Sequence, residues 1–286
     1  MNFKAGMLRH VFQRQIKGYK KRKFLSKVIS RLKPRMASSY SDECGVYNKL
    51  EDVGFSPLPG FLSKEKIENI IGFLNDKEVY DRYDREQKLF KADKPPAYAR
   101  TGAYLDKDIV NCPHVLDIAN SANVLSVVGR VLGCKPTISN ITIWNSYPNE
   151  DKTAQHSENF HRDVDDFDFV KLFIYLTNVT DEEGPHVFVD YSHKDESFLD
   201  IQRYADEEIE SHYGKDKIRV IPGSAGDAFL ENTYGLHKGT VPQKGMRTLL
   251  QVEYTLLSIG AYSYPCKFDA SSNTQYDDYI NRLYVK

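Results

Sequence analysis

The sequence predicts a mainly β domain, a sandwich or barrel with helices packed around it. Before residue 136, apolar residues recur at the three- to four-residue steps of amphipathic helices. After it, short strand-like runs follow one another, separated by Gly, Pro, Asn and Asp. The 286 residues and 41% hydrophobic content are sufficient for one large domain, which we assign to residues 42–286.

The first 41 residues differ from the rest in charge. They hold twelve Lys and Arg and no Asp or Glu, so a net charge of −1 for the whole chain leaves −13 on the remainder. Apolar residues from Leu8 to Leu32 recur with helical period. Such a basic arm suits an anionic membrane surface, which residues 1–35 are expected to contact, or else it packs on the domain with a solvated basic face. Nucleic acid is not an expected partner, because the arm contains no recognisable nucleic-acid-binding motif and the domain that follows it is acidic.

Helices are expected before the predicted sheet. A Ser-rich linker at residues 38–42 is followed by Ser63, the expected N-cap of an amphipathic helix. Residues 81–108 are polar and predict a long loop or lid. The apolar spacing after Pro113 predicts one or two buried helices that end at Gly133.

The strand-like runs carry alternating or continuous apolar residues, and a helix with acidic residues, 201–213, is expected between two of them. The predicted strands lie at residues 138–147, 169–179, 186–189, 219–221, 228–230 and 248–257.

The four cysteines are widely spaced and include no CxxC pair, which predicts reduced thiols of a cytosolic protein and not a disulfide framework or a zinc site. They are Cys44, Cys112, Cys134 and Cys266. No apolar run approaches the roughly 18 residues that a membrane-spanning helix needs. We therefore expect a cytoplasmic protein, held at the inner face of the membrane if the basic arm binds there.

The segment Phe160-His161-Arg162-Asp163 carries the strongest chemical signal. In a strand, side chains at i and i+2 share a face, so His161 and Asp163 would project together and Arg162 would turn away. His237, far downstream, would complete a set of two histidines and one carboxylate, the facial triad of non-haem Fe(II) oxygenases. We therefore predict that His161, Asp163 and His237 are metal ligands and the catalytic centre.

From these residues onward the chain resembles the phytanoyl-CoA dioxygenase-like branch of the Fe(II)/2-oxoglutarate oxygenases, over about residues 137–257. The segments that carry the resemblance are His161-Arg162-Asp163, Lys171 to Val179, Glu183-Gly184-Pro185, Tyr191-Ser192-His193-Lys194, Gly226-Asp227, His237-Lys238-Gly239 and Arg247. The resemblance implies a double-stranded β-helix, a jelly-roll relative of the cupins, with the N-terminal helices packed on the barrel. It also implies Fe(II), 2-oxoglutarate as cosubstrate, and O2.

In that family a cation binds the distant carboxylate of 2-oxoglutarate, and Arg247 fits because a guanidinium pairs bidentately with a carboxylate. A structural ion pair is the alternative role for Arg247. Many relatives place a hydroxyl two residues after the distal histidine, where this chain has Gly239. Thr240 is the candidate second anchor. Halogenating relatives replace the carboxylate ligand by a small residue, so Asp163 predicts hydroxylation or a related oxidation.

Other polar residues near the motif have structural interpretations. His156 is expected in a loop or at the pocket rim, and His193 in a turn at the barrel mouth. Lys171 is expected as a solvated barrel lysine, with a position in the pocket lining as the alternative. Solvated positions are also expected for Arg100, which could otherwise meet an anionic substrate, and for the acidic turn Asp165, Asp166 and Asp168.

The predicted activity is therefore hydroxylation of an unactivated carbon. The basic arm favours a membrane-associated glycolipid or lipid-linked sugar, and bacterial hydroxylases of the lipopolysaccharide sugar 3-deoxy-octulosonic acid (Kdo) are a group that the chain resembles. An acyl-CoA or a small soluble metabolite is the alternative substrate. A cupin-like protein that binds metal without redox chemistry, or an inactive scaffold that acts through its arm, are alternatives of another class.

Overall fold

Two antiparallel sheets form the centre of the molecule. A computed structural model describes residues 3–36, 45–149, 153–269 and 276–286. The strands are β1 (Phe55–Leu58), β2 (Glu78–Tyr80), β3 (Leu89–Lys91), β4 (Thr101–Tyr104), β5 (Thr137–Ser146), β6 (Phe169–Tyr175), β7 (His186–Val189), β8 (Ile218–Ile221), β9 (Ala228–Glu231), β10 (His237–Gly239) and β11 (Arg247–Thr255).

The larger sheet has eight strands in the order β1-β9-β6-β11-β5-β4-β2-β3, and the smaller one has three in the order β10-β7-β8. All the pairings are antiparallel, and β11 lies between β5 and β6 at the centre of the larger sheet. The fold is a double-stranded β-helix with flanking helices, as the sequence predicts, and the larger sheet is open at its edges.

Alternation along the central strands separates two environments. On β6, Val170, Leu172 and Ile174 belong to the core beneath the helices, whereas Phe173 and Tyr175 pack towards the smaller sheet. The same period operates on β5 and β11. One face of the larger sheet is therefore an apolar floor for helices, and the other face is available to line a cavity between the sheets.

Most of the helices cover the outer face of the larger sheet, whereas Ile209 of the eighth helix packs against Val187 and Val189 of the smaller sheet. They are α1 (Phe3–Gln15), α2 (Tyr19–Ser30), α3 (Val46–Val53), α4 (Lys64–Leu74), α5 (Asp106–Ile109), α6 (Val115–Ala119), α7 (Ala122–Leu132), α8 (Asp206–Tyr213) and α9 (Asp278–Asn281). Ser63 caps α4, and its hydroxyl accepts a hydrogen bond from the Lys66 N–H. Gly133 ends α7 in the left-handed conformation, with φ of 72°. Both helix boundaries confirm the sequence prediction.

Helices α6 and α7 together form one apolar stretch, Val115–Leu132, which is long enough and apolar enough to cross a membrane by composition alone. The helix is interrupted at Asn120 and Ser121, and its apolar side chains fill the core beside β5 and β11. The packing supports the prediction of buried core helices.

The prediction of a long loop at residues 81–108 was wrong in part. Strands β3 and β4 and helix α5 lie within it, and β4 pairs with β5, which extends the larger sheet. Arg100 is buried, not solvated, and its Nη1 lies 2.9 Å from Glu158 Oε2. The polar composition misled because these short strands are held by pairing with neighbouring strands, β3 with β2 and β4 with β5, and not by an apolar stripe of their own.

The N-terminal helices pack on the domain. Arg22 of α2 is buried, and its guanidinium donates to the carbonyl oxygens of Gln13, Ile16 and Asp166. Lys23 Nζ lies 2.9 Å from Asp168 Oδ2. The linker predicted at residues 38–42 lies outside the described residues.

The acidic turn after the motif is buried, which contradicts the solvated position predicted for it. Asp166 accepts hydrogen bonds from the N–H groups of Phe167 and Leu257. Asp168 accepts from Lys23 and from the Ser26 hydroxyl. The partners come from the distant arm and from the C-terminal end of β11, so nearby sequence could not reveal them.

The described cysteines Cys112, Cys134 and Cys266 are free thiols, as predicted, whereas Cys44 lies outside the described residues. Burial raises the pKa of Cys112 to about 12, which keeps this thiol protonated.

Candidate metal centre and its cavity

A cavity of about 710 Å³ lies between the two sheets. Residues of β5 and β11 that point away from the helices line one wall, and residues of β7 and β10 line the other. The wall from the larger sheet includes Asn140, Thr142, Trp144, Ser146, Lys171, Phe173, Arg247, Leu249 and Gln251. The cavity is therefore the space that strand alternation leaves between the sheets.

Three side chains converge at one end of the cavity. The ligand atoms of His161, Asp163 and His237 all lie within 4.8 Å of one another. His161 Nε2 is 3.7 Å from Asp163 Oδ1, and His237 Nε2 is 3.4 Å from Asp163 Oδ2. The two histidines and the carboxylate thus meet around one point, as the spacing of the motif predicts.

Backbone pairing brings the two histidines together although 76 positions separate them in the sequence. His161 and His237 form an isolated antiparallel bridge, and each donates its N–H to the other's carbonyl oxygen at 3.0 Å. Residues 160–163 are extended but belong to none of the sheet strands, so the expected strand is reduced to isolated bridges. Arg162 turns away from the site, as predicted, and its guanidinium binds backbone carbonyls, among them that of Ser192.

Each histidine is oriented by its second ring nitrogen. His161 Nδ1 lies 2.9 Å from the Asn159 carbonyl oxygen, and His237 Nδ1 lies 2.9 Å from the Gly235 carbonyl oxygen. A carbonyl accepts only, so each Nδ1 carries the proton and each Nε2 presents a lone pair to the site. This arrangement is the one that metal-binding histidines require.

The charges of the three groups suit a cation. Burial lowers the pKa of His161 to about 3, and the neighbouring His237 adds to this effect. Burial opposes ionisation of Asp163, but Lys171 and His237 outweigh it and hold the pKa of Asp163 well below its usual range. Burial also opposes charge on His237, whose pKa is raised because the Asp163 carboxylate outweighs burial. A metal ion bound at this point would be held by the neutral imidazoles and by the Asp163 carboxylate, since metal ligands must be deprotonated.

The solvated position predicted for Lys171 is wrong. The residue is buried in the site and only 6% exposed. Its Nζ lies 2.7 Å from Asp163 Oδ2, 3.1 Å from Asp165 Oδ2 and 3.8 Å from Glu253 Oε1. Glu253 is opposite Lys171 on the neighbouring strand β11. Burial disfavours the ammonium, but the three carboxylates outweigh it and raise the pKa of Lys171 well above its usual range. Lys171 therefore holds Asp163 in position.

Arg247 lies in the same cavity with few partners. Its Nη2 donates to the Ser146 hydroxyl at 3.0 Å, and Ser146 is its direct partner across the β5–β11 pairing. Its Nε and Nη1 are buried and have no hydrogen-bond partner among the described residues. Buried donors without partners are rare in native proteins, so they indicate a site for an anion.

Gly239 explains how an anion can reach this guanidinium. A Cβ atom at residue 239 would lie 2.9 Å from Arg247 Nη2, closer than real Cβ contacts allow without a shift. The absence of a side chain keeps the approach to Arg247 open. The residue at which the chain departs from many relatives therefore has a physical role in the cavity.

The structure gives Thr240 other partners. Its hydroxyl donates to the Pro185 carbonyl oxygen at 2.8 Å, and Thr240 is not among the residues that line the cavity. The Ser146 hydroxyl is the one that adjoins Arg247. A contact between Thr240 and 2-oxoglutarate therefore rests on the family resemblance alone, and Ser146 is the second anchor that the geometry favours.

The remaining histidines near the site have structural partners. His186 Nε2 lies 2.9 Å from Glu231 Oε2, and both side chains are buried beside the cavity. His156 is exposed and stacks on Tyr83, a residue that lines the cavity, at 3.9 Å between ring centroids. His193 is buried in a turn and binds the Glu51 carbonyl oxygen, which fits its predicted structural role. The sequence analysis did not single out His186, because one histidine within a strand carries no distinguishing signal.

The donor set fits the expected groups. Two neutral imidazole nitrogens and a carboxylate form the facial triad of Fe(II) oxygenases, and an unpaired guanidinium in the same cavity suits a dicarboxylate cosubstrate. Iron would be held by His161, Asp163 and His237, and the distal carboxylate of 2-oxoglutarate by Arg247 and Ser146.

Solved structures of similar fold hold these groups. HygX from Streptomyces hygroscopicus, with nickel and 2-oxoglutarate bound, is 17% identical with a TM-score of 0.54, and the match covers 75% of this chain and 87% of HygX. The epimerase SnoN from nogalamycin biosynthesis, in complex with Fe3+, α-ketoglutarate and nogalamycin RO, is 15% identical with a TM-score of 0.51, covering 73% and 81%. AviO1 from Streptomyces viridochromogenes Tue57 is 14% identical with a TM-score of 0.50, covering 76% and 96%. These likenesses show the fold.

The family comparison covers most of the chain. Among curated protein sequences, none matches it significantly. The model of the phytanoyl-CoA dioxygenase family matches residues 50–241, which include the whole triad. The chain therefore belongs to the phytanoyl-CoA dioxygenase family, whose iron and 2-oxoglutarate cofactors its cavity suits.

Proposed function

We propose that this oxygenase hydroxylates an unactivated carbon of an acidic sugar in a membrane-associated glycolipid, with the lipopolysaccharide sugar Kdo as the candidate. The supporting observation is a second guanidinium, that of Arg82, which lines the same largely polar cavity as the iron ligands. The protein would work in the cytoplasm, peripherally at the inner face of the membrane.

When bound, iron and 2-oxoglutarate supply the oxidising chemistry by which O2 converts a substrate C–H bond into C–OH. Overall, one oxygen atom enters the substrate, the other enters succinate, and 2-oxoglutarate loses CO2. The chain's own residues orient the ligands and the cosubstrate and exclude water. The carbonyls of Asn159 and Gly235 fix the imidazole rings, Lys171 holds Asp163, and Arg247 binds the cosubstrate carboxylate bidentately. The intact carboxylate at Asp163 supports hydroxylation over halogenation.

The wall of the cavity suits a polyhydroxylated substrate. Amide and hydroxyl groups face it from the two central strands and from the segment after β11, and aromatic rings stand among them. These residues are Asn140, Thr142, Gln251, Ser263, Tyr262, Tyr264, Tyr80, Tyr83 and Trp144. Amides and hydroxyls bind sugar hydroxyls, and aromatic faces cover the apolar faces of sugar rings. A long acyl chain would instead need a continuous apolar wall.

Arg82 supplies a site for a negative charge on the substrate. Its guanidinium lies over the Trp144 ring, 4.1 Å from the ring centroid, where it lines the cavity. It forms no ion pair with any carboxylate in the described residues. Stacking on Trp144 holds the guanidinium flat, which leaves its edge available to a carboxylate. An acidic sugar satisfies both Arg82 and the polar wall.

The solved neighbours are consistent with a polar substrate. HygX is also known with hygromycin B bound, and SnoN with nogalamycin RO, neither of which is an acyl-CoA thioester. SnoN is an epimerase and SnoK, another neighbour, is a carbocyclase, so the fold supports several outcomes of the same oxidation. Hydroxylation is the outcome proposed here.

The test is 2-oxoglutarate turnover by the purified protein with Fe(II) and O2 against matched substrates. Free Kdo, a Kdo-bearing glycolipid, a neutral sugar glycolipid and an acyl-CoA form the panel. We expect succinate in equal amount to a product that has gained one oxygen atom, with the Kdo glycolipid as the best substrate. Coupled turnover with the acyl-CoA alone would overturn the proposed substrate, and a product without added oxygen would overturn hydroxylation.

A further inference from the structure

We propose that the exposed apolar side of α1 and α2 docks the protein onto an anionic membrane. The docking face consists of Leu8, Val11, Phe12, Phe24, Val28 and Leu32. None of residues 3–36 lines the iron cavity. The proposal therefore concerns a second surface and stands independently of the substrate proposed above.

The docking face is unusually apolar for a solvent-exposed surface. Leu8 is 72% exposed, Phe12 62%, Phe24 67% and Leu32 82%. Of the thirteen large hydrophobic side chains that are exposed in the part of the chain that the structure describes, these two helices and the turn after α2 hold six. Scattered exposed apolar residues are ordinary, whereas a concentration of them marks an interaction surface.

The packing of the helices determines that these residues face outward. Phe24 and Val28 are four residues apart and share one side of α2, and Leu32 follows at the same spacing in the turn after the helix. The opposite side carries Arg22 and Ser26, which are buried against the domain. There the Arg22 guanidinium binds the Asp166 carbonyl oxygen, and Ser26 donates to the Asp168 carboxylate. Polar residues are thus directed inward by the acidic turn, and the apolar side is left in solvent.

Exposed cations lie beside the docking face. They are Lys20, Lys21, Lys27, Arg31 and Arg35, and residues 1–41 contain no acidic residue to offset them. Apolar side chains bordered by lysine and arginine match the interface of an anionic bilayer, where the rings and alkyl groups enter the acyl boundary and the cations meet the headgroups. Charge complementarity therefore selects the membrane as the occupant.

A second copy of the chain is a weaker occupant on the same observations. A two-fold dimer places the same surface against itself. Here that would bring two sets of exposed cations together without an acidic residue from the arm to separate them. The test below nevertheless distinguishes the two.

The experiment is cosedimentation of the full-length protein with lipid vesicles, without substrate or cofactor. Vesicles of phosphatidylcholine alone are compared with vesicles in which about a third of the lipid is phosphatidylglycerol. We expect binding to the anionic vesicles only. Phe24→Ser with Leu32→Ser should weaken it by at least about 10-fold, and Lys20→Gln, Lys21→Gln and Lys27→Gln together by about 100-fold.

Ile201→Ser with Val220→Ser is the control, because these apolar residues are also exposed, at 45% and 49%, but lie outside the two helices. This control should bind like the wild type, and thermal melts should show that all variants are folded. Failure of the wild type to bind anionic vesicles overturns the proposal, as does unchanged binding by the Phe24/Leu32 variant. A dimer in sedimentation analysis that Phe24→Ser with Leu32→Ser dissociates would assign the face to a second copy.

Discussion

Two buried cations line the same cavity, and they differ in how many of their donors are paired within the protein. Lys171, at the end near the iron ligands, lies within 3.8 Å of three carboxylates, those of Asp163, Asp165 and Glu253. Arg247 has the Ser146 hydroxyl and two buried nitrogens without partners among the described residues. A cation surrounded by protein carboxylates stabilises the structure. A cation with unpaired N–H donors can instead bind an anionic ligand of the reaction.

Both cations have these roles only if the triad in their cavity binds iron, so the largest effect is expected from His237→Ala. Anaerobic addition of Fe(II) and 2-oxoglutarate to the wild type should give a weak visible charge-transfer band. In the variant the band should be absent and succinate formation should fall below detection, because one of three ligands is lost. His193→Ala is the matched control, a buried histidine outside the site, and should keep the band. A band that persists in His237→Ala would contradict the assigned ligand set.

Lys171→Met tests the satisfied cation. The substitution keeps much of the side-chain volume but leaves buried carboxylates without their counter-charge, which should lower the free energy of unfolding by about 3–5 kcal/mol. Urea denaturation measures the change. Lys217→Met, at a surface lysine whose side chain is 45% exposed, should shift stability by no more than about 0.5 kcal/mol. Equal stability of Lys171→Met and the wild type would show that Lys171 is not the counter-charge that the geometry indicates.

Arg247→Met tests the unsatisfied cation and should give the reverse pattern. The KM for 2-oxoglutarate should rise by the equivalent of about 2–5 kcal/mol, because a buried charge partner is lost. Stability should be unchanged or slightly higher, since an unpaired buried guanidinium is removed. Arg247→Lys keeps the charge without the bidentate fork and should fall between the two. A large loss of stability with an unchanged KM would instead assign Arg247 to a structural ion pair.

Arg82→Met has the smallest expected effect and separates the substrate from the cosubstrate. The KM for an acidic sugar substrate should rise by the equivalent of about 1.5–3 kcal/mol, the usual range for hydrogen bonds to charged groups. The KM for 2-oxoglutarate and the turnover of a neutral analogue should stay the same. Weakened 2-oxoglutarate binding in this variant would remove the distinction between the two arginines.

Local patterns in the sequence were sufficient for much of the fold. The Ser63 cap, the glycine stop at Gly133 and the strand at residues 186–189 are encoded by neighbouring residues, and the structure confirms each of them. Residues 81–108 were mistaken for a loop because β3 pairs only with the equally short β2, and β4 joins the sheet through β5, which is distant in the sequence. Edge strands of a few residues carry too short a pattern to be distinguished from a polar loop.

The candidate site was also predicted only in part. The spacing of His161 and Asp163 with a distal His237 was recognisable, since few residue types bind iron. Lys171 was expected in solvent, and Ser146 and Arg82 were not singled out. An ordinary lysine, serine or arginine acquires a role only from what the fold places opposite it.

By itself, the sequence determined the period-2 strands, the helix boundaries, the triad of ligand types and the separation of a basic arm from an acidic domain. Only the tertiary structure decided which cations are satisfied and which are open, and which side of α2 faces solvent. The physical reason is the separation along the chain over which each effect acts. Periodicity and capping act within a few residues, whereas burial and charge pairing depend on groups brought together from distant parts of the chain.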